Sequence, residues 1–345
     1  MSAAGRPSVA GSVTGSVAAR IVAWIVAWTV GGTFALGGAS AAGAPVAGAE
    51  DDASPPFSEA ERKTIARYEK LVRRDDDAAR LSKSAWIVEA PAAASDRFVA
   101  ELAVWVERVD AFVVRRLDVK KRWRTQPTLV VFPTQAEFLE RVEVVGRTAF
   151  FRAWVDKVPL GVAVGGGGGA RRGKGQSMVG GEYHVYTGLV EEGAPSFATI
   201  DRPAIRREVV RAVLYAAATG NLVEAFWFDR GASQVLGRLD PFGPDDAPGT
   251  APPLEGDARP PLAPTLSLLP ATWVADDETM LRHDPIAESV FVFLESDEGA
   301  RFGKKVRKGL SKLRSGRGEL LDERDVARLE EAWHAWLDAG DPDSE

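Results

Sequence analysis

Along this chain the hydrophobic positions change period several times, and each change marks an expected element. Phe98, Leu102, Trp105, Val109, Phe112 and Val113 recur at steps of three and four, which predicts one buried helical stripe with Ser95 as its N-cap. Ahead of it, Ile65, Tyr68 and Leu71–Val72 predict a helix with charged faces between Ser58 and Ser82, then a short strand at AWIVEAP (85–91). PTLVVFP (127–133) is β-branched and bounded by prolines, a buried strand. Thr134 with Glu137 three residues on caps the helix that follows, TQAEFLERVEVVG. PLGVAV (159–164) and EYHVYTGL (182–189) flank a glycine-rich run and read as a hairpin or edge pair. From there helical spacing dominates, over 202–218, 222–238, 284–297, 299–314 and 322–338.

The expected fold class is therefore α+β: a mixed α/β half with an edge strand (84–200), followed by an all-helical half (201–340). Residues 240–264 are too rich in proline and glycine for regular structure and are expected as a long surface loop. Residues 50–83 are read as a linker and N-terminal helix. No internal repeat is visible.

Residues 1–49 change the picture. Arg6 and Arg20 precede the apolar run IVAWIVAWTVGGTFAL (21–36), and small residues follow, with Ala39-Ser40-Ala41 and Ala47-Gly48-Ala49 as cleavage motifs. That pattern predicts a signal peptide, export to the periplasm or exterior, and no stable membrane span after cleavage; a retained anchor is the competing reading. The formal charge of -6 lacks the basic footprint of a nucleic-acid binder. With no cysteine, disulfides, thiolate metal sites and cysteine nucleophiles are excluded.

Several constellations carry little chemistry. Gly168 to Lys174 spells a phosphate-loop pattern, but Gly175 follows where a Ser or Thr and a helix are needed. Glu182 and His184 share a strand face without a third ligand. His283-Asp284 before Pro285 reads as a turn and helix start, and His334 between Trp333 and Trp336 as structural. Arg301, Lys304, Lys305, Arg307, Lys308, Lys312 and Arg314 form the basic face of a helix whose apolar stripe is Phe302, Val306, Leu310 and Leu313.

The segment IRREVVRAVLYAAATGNLVEAFWFDRGASQVL (205–236) carries the most. Asp201 and Pro203 start a helix on which Arg207 and Arg211 lie four apart on one face, with Glu208 between them. A zincin helix has H-E-x-x-H at this spacing: two imidazoles bind zinc, and the glutamate activates the metal-bound water. Here the sequence is R-E-x-x-R. It resembles the gluzincin superfamily, specifically the exported peptidase-MA-like domains of bacteria. In that family a second helix carries W-[LF]-[ND]-E-G-x-A, whose glutamate is the third zinc ligand. Trp227-Phe228-Asp229-Arg230-Gly231 resembles that motif, with Arg230 at the ligand position, 19 residues beyond Arg211, and the final small residues shifted. TLVVFPTQAEFLERV, YHVYTG and DPIAESVFVFLESDEGARFGKKV resemble further parts of the family's layout, so the resemblance covers about residues 84–340.

The resemblance implies a zincin-like fold whose three ligand positions, Arg207, Arg211 and Arg230, cannot serve a metal, because a guanidinium offers no lone pair. No metal or other cofactor is expected, and Glu208 is a vestigial general-base position. Glu208 can pair with Arg211 three residues on, and Asp229 or Glu224 can reach the other arginines, or the three form a pocket for an anion. The implied function is that of an exported pseudopeptidase binding a peptide, envelope protein or anionic small molecule in the former cleft. Tyr183, His184, Val185 and Tyr186 are the expected peptide-docking edge. The rivals are a hydrolase built on carboxylates such as Glu182, Glu208 and Asp229, and an envelope component docking through the basic helix at 301–314.

Overall fold

Ser58 opens the first helix, α1 (Glu59–Glu69), by a reciprocal capping box: its hydroxyl accepts from the Glu61 backbone while the Glu61 carboxylate accepts from its own. The computed structural model describes residues 55–120, 126–134, 136–138, 140, 162–165, 183–189, 193–218, 225–243, 249, 251–252, 254, 260–273, 277–313 and 320–339. The glycine-rich run 166–181 and the leader 1–49 lie outside them. The helix expected up to Ser82 stops at Glu69. Beyond it the charged, exposed run Arg73–Asp77 has no apolar face to bury. Instead Asp75 Oδ1 accepts from the backbone N–H groups of Asp77 (3.0 Å) and Ala78 (2.7 Å), turning the chain between β1 (Arg73–Arg74) and β2 (Ala78–Leu81).

The boundary expected near residue 83 consequently falls inside a sheet, since β2 pairs antiparallel with β3 (Ile87–Pro91). Helix α2 (Asp96–Leu117), capped by Ser95 through the Phe98 N–H, carries the chain across to β4 (Thr128–Phe132), parallel to β3. All six residues of its predicted stripe are buried. β6 (Tyr183–Gly188) runs parallel to β4, and β5 (Val162–Gly165) pairs antiparallel on its other side. The sheet is mixed, in the order β1-β2-β3-β4-β6-β5. The expected pairing of 159–164 with 182–189 is present, from Val162 opposite Tyr186 to Gly165 opposite Tyr183. One expectation is corrected: Tyr183, His184, Val185 and Tyr186 are not an edge, because β4 lies along the other side of their strand.

The elements described after β6 are helices: α3 (Arg202–Ala218), α4 (Phe226–Arg238), α5 (Leu262–Ser267), α6 (Pro270–Trp273), α7 (Asp277–Glu295), α8 (Ala300–Leu313) and α9 (Glu323–Ala339). α5 begins inside the stretch expected as loop. α7 begins well before the expected residue 284, so Pro285 lies within the helix rather than at its start. A proline there leaves only the Leu281 carbonyl without its helical donor, in a turn where the Leu281 side chain is exposed to solvent. α4 packs between α3 and α7, with Phe228 against Phe291 and Phe226 edge-on to Trp273, both at 5.6 Å between ring centroids. Gly231 makes the α4–α7 approach feasible: a Cβ there would stand 2.3 Å from the Ala287 carbonyl oxygen. Residues Asp51–Glu345 belong to one compact unit. Among the described residues no helix is long and apolar enough to cross a membrane.

Candidate functional site

The site grows from two helix starts and one apolar anchor. Asp201 Oδ1 accepts from the Ala204 N–H (2.8 Å) and begins α3 as its sequence predicts. Buried Trp227 and Phe228 root the first turn of α4. Between these helices Arg211 is 7% exposed and reaches two carboxylates. Its Nε donates to Asp229 Oδ2 at 2.9 Å, and one terminal nitrogen donates to both Glu208 oxygens at 3.2 Å. Glu208 and Asp229 are themselves buried, so one guanidinium joins carboxylates of two successive helices away from water.

Arg230 turns to a different partner. Its Nε donates to Asp284 Oδ1 on α7 at 3.0 Å, and a terminal nitrogen pairs with Asp284 Oδ2. The Trp273 indole also donates to Asp284 Oδ1, at 2.7 Å. Arg207 is half-buried and makes no hydrogen bond or ion pair among the described residues; its backbone and Cγ pack against Gly237, where a Cβ would come within 2.3 Å of that Cγ. The arginines thus do not converge on one pocket: Arg211 and Arg230 each grip carboxylates of this chain. Glu224, the other carboxylate considered, lies outside the described residues, as does Glu182.

Glu208 senses the whole cluster. Burial pushes its pKa up to about 6; Arg211 opposes the shift, Asp229 adds to it, and Arg207 and Arg230 oppose it more weakly. The ion pair therefore does not cancel the cost of desolvation, a common outcome for buried pairs. Asp229 Oδ1 is buried without a hydrogen-bond partner. Among the described residues no three carboxylates or imidazoles stand close enough to hold a metal ion.

The sequence reading missed the contribution of α7. Asp284, Glu288 and Glu295 follow one another at intervals of four and seven, on one side of the helix. Each meets an arginine from a neighbouring helix: Asp284 meets Arg230, Glu288 meets Arg238, and Glu295 meets Arg116 (3.0 Å) and Arg307 (3.3 Å). Burial raises the pKa of Glu288 and Glu295, with the arginines opposing. Acids at helical spacing in the apolar sequence DPIAESVFVFLE were the available signal, since buried carboxylates require partners.

The remaining candidates are dispersed. His283 sits inside α7, its Nδ1 2.8 Å from Thr265 Oγ1, rather than at a turn, and burial lowers its pKa. His334 Nε2 lies 3.1 Å from the Pro260 carbonyl oxygen. His184 stacks on Tyr186 in the interior strand. A cavity of about 770 Å³ lies far from this chemistry in the sequence, lined by Phe57, Ile65, Arg97, Glu101 and Arg108 among others. No family model, curated protein or solved structure matches the chain.

Proposed function

We propose that this chain is a pseudopeptidase of gluzincin descent, in which an internal ion-pair lock stands where zinc and its activated water would act, and which works by binding. The Arg211 guanidinium clasped by buried Glu208 and Asp229 is the observation that carries this reading. A guanidinium stays protonated and cannot ligate, and here it consumes the very carboxylate that would activate water. The mixed sheet ending in an antiparallel strand, the paired helices α3 and α4 and the helical half after them support the same descent.

The ligand best suited to such a protein is an extended peptide or a segment of an envelope protein. Among the described residues β5 has a strand neighbour only on its β6 side, so an added strand would pair there. An anion held by Arg211 and Arg230 is disfavoured, because both are already bound to carboxylates. Metal content and peptidase assays on the purified chain test the proposal. Stoichiometric zinc, or peptide hydrolysis lost on chelation, would refute it.

One observation favours a second reading. A carboxyl with its pKa near 6 lies in the range useful to a general base, so a hydrolase built on Glu208 remains the rival. Chelator-insensitive hydrolysis abolished in Glu208→Gln would establish that rival. Absence of hydrolysis in the parent chain would remove it.

A further inference from the structure

The apolar stripe of α8, made of Phe302, Val306, Leu310 and Leu313, is wholly buried against the chain's own core. The helix is held tightly: a Cβ on Gly303 would stand 2.5 Å from the Leu294 carbonyl oxygen, and one on Gly309 would stand 2.6 Å from that of Leu320. Its sequence, ARFGKKVRKGLSKL, contains six cations and no acid. Arg307 is drawn inward to Glu295, and Lys305 meets Asp325 on α9. Arg301, Lys304 and Lys308, at steps of three and four, lie exposed on one outer face; Lys304 and Lys308 make no ion pair among the described residues.

We propose that this outer face of α8 docks the protein on an anionic lipid surface, a role independent of the buried arginine site. Three features choose a bilayer over a discrete anionic ligand. The cations are mostly lysines, hydrated point charges suited to a diffuse field rather than to bidentate recognition. They run along a helix rather than into a pocket, from Arg301 to Lys312 over about 16 Å. The hydrophobic face is already buried, so the helix rests on headgroups without inserting, and attraction is electrostatic and short-ranged in salt. The apolar run 21–36, on the sequence reading an export signal, would carry the chain across a membrane and so past anionic lipid. Its overall charge of -6 makes a local face of this sign the natural point of approach to anionic headgroups.

Vesicle co-sedimentation of the full chain tests the assignment, with phosphatidylcholine vesicles compared with the same vesicles containing phosphatidylglycerol. The chain should sediment preferentially with the phosphatidylglycerol vesicles, and high salt should abolish the preference. The double variant Lys304→Gln/Lys308→Gln should weaken that preferential binding about thirtyfold, and Lys304→Glu/Lys308→Glu should weaken it further. The variant Arg62→Glu/Lys63→Glu, which changes net charge as much as the α8 reversal but on exposed α1, should retain it. Thermal melts of the α8 variants should stay within a few degrees of the parent, since the side chains changed are exposed, and the α1 reversal, which also breaks the exposed Lys63–Glu59 pair, should remain cooperatively folded. Equal sedimentation with both vesicle types overturns the proposal, as does equal loss in the α1 and α8 reversals. Failure to bind either vesicle, with salt-sensitive retention on a polyglutamate resin, also overturns it and transfers the face to an acidic protein.

Discussion

The α3–α4 junction and the outer face of α8 both gather positive charge, but they handle it in opposite ways. Arg211 is 7% exposed and binds two buried carboxylates, while Lys304 and Lys308 stand exposed on a helix without a single acid. At the junction each charge removed from water must be answered from within the chain, and Asp229, Glu208 and Asp284 do so. On α8 water itself solvates the charge, so no internal partner is required. A cation's type therefore says less about its role than the side from which it is neutralised. Substitutions at the two regions should accordingly differ in size, and even in sign.

Arg211→Met should produce the largest effect. It leaves Glu208 and Asp229 buried without their shared cation, and breaking a buried pair from one side typically costs about 3–5 kcal/mol. Urea denaturation at neutral pH measures that loss. A change below about 1 kcal/mol would show that the guanidinium is not what holds the junction together. Gly231→Ala should come next, at about 1–3 kcal/mol, the usual cost of overpacking. Its new methyl group meets the Ala287 backbone, which can yield only if α4 and α7 separate. The same denaturation experiment reads it, and a neutral result would mean the helices are not in that close approach. Gly231 thus has a packing role whatever the ancestry of the motif around it.

Much of this junction is legible in the sequence, and the rest is hidden for identifiable reasons. The pairing of Glu208 with Arg211 follows from their three-residue helical spacing, whereas Asp229, expected to answer one of the other arginines, also meets Arg211, a contact between two helices that local spacing does not set. Nor does it set Asp284 as the partner of Arg230, because Pro285 beside it suggests a helix start, and a proline's effect depends on whether water can satisfy the carbonyl it strands. Local periodicity and the glycine-rich run between them gave β5 and β6 as a pair, but not β4 on the other side of β6, since that parallel neighbour is a long-range matter. The β1–β2 turn rests on the Asp75 side chain capturing two backbone N–H groups within a charged run that has no apolar period to read.

Glu208→Gln reverses the intuition attached to a buried ion pair. Because burial lifts the Glu208 pKa from 4.5 to about 6, the folded protein holds that proton more tightly than the unfolded chain does. The stability linked to this group is fully present below the unfolded value, and is lost as pH rises through about 6. Glutamine keeps a carbonyl to accept from Arg211 and carries no charge to desolvate. The variant should equal the parent at low pH and exceed it above the window by up to about 2 kcal/mol, by the free energy of such a shift. Paired denaturation curves below and above the window decide it. A variant clearly less stable than the parent at neutral pH would mean that the contact with Arg211 outweighs desolvation after all.

The smallest effect on stability belongs to α8, and its smallness is what sharpens the contrast. Lys304→Glu/Lys308→Glu breaks no ion pair among the described residues, and the helix stays anchored by Phe302, Val306, Leu310 and Leu313 and by the close approaches at Gly303 and Gly309. Reversal also places carboxylates beside Arg301, Lys305 and Lys312, which relieves repulsion among like charges at steps of three and four. The expected change is within about 0.5 kcal/mol, with a sign toward greater stability that shrinks as salt is added. Thermal denaturation at low and high ionic strength measures both parts. A large loss insensitive to salt would place these lysines in the internal network after all, and the distinction between cations answered from within and cations left to the outside would fail at its second term.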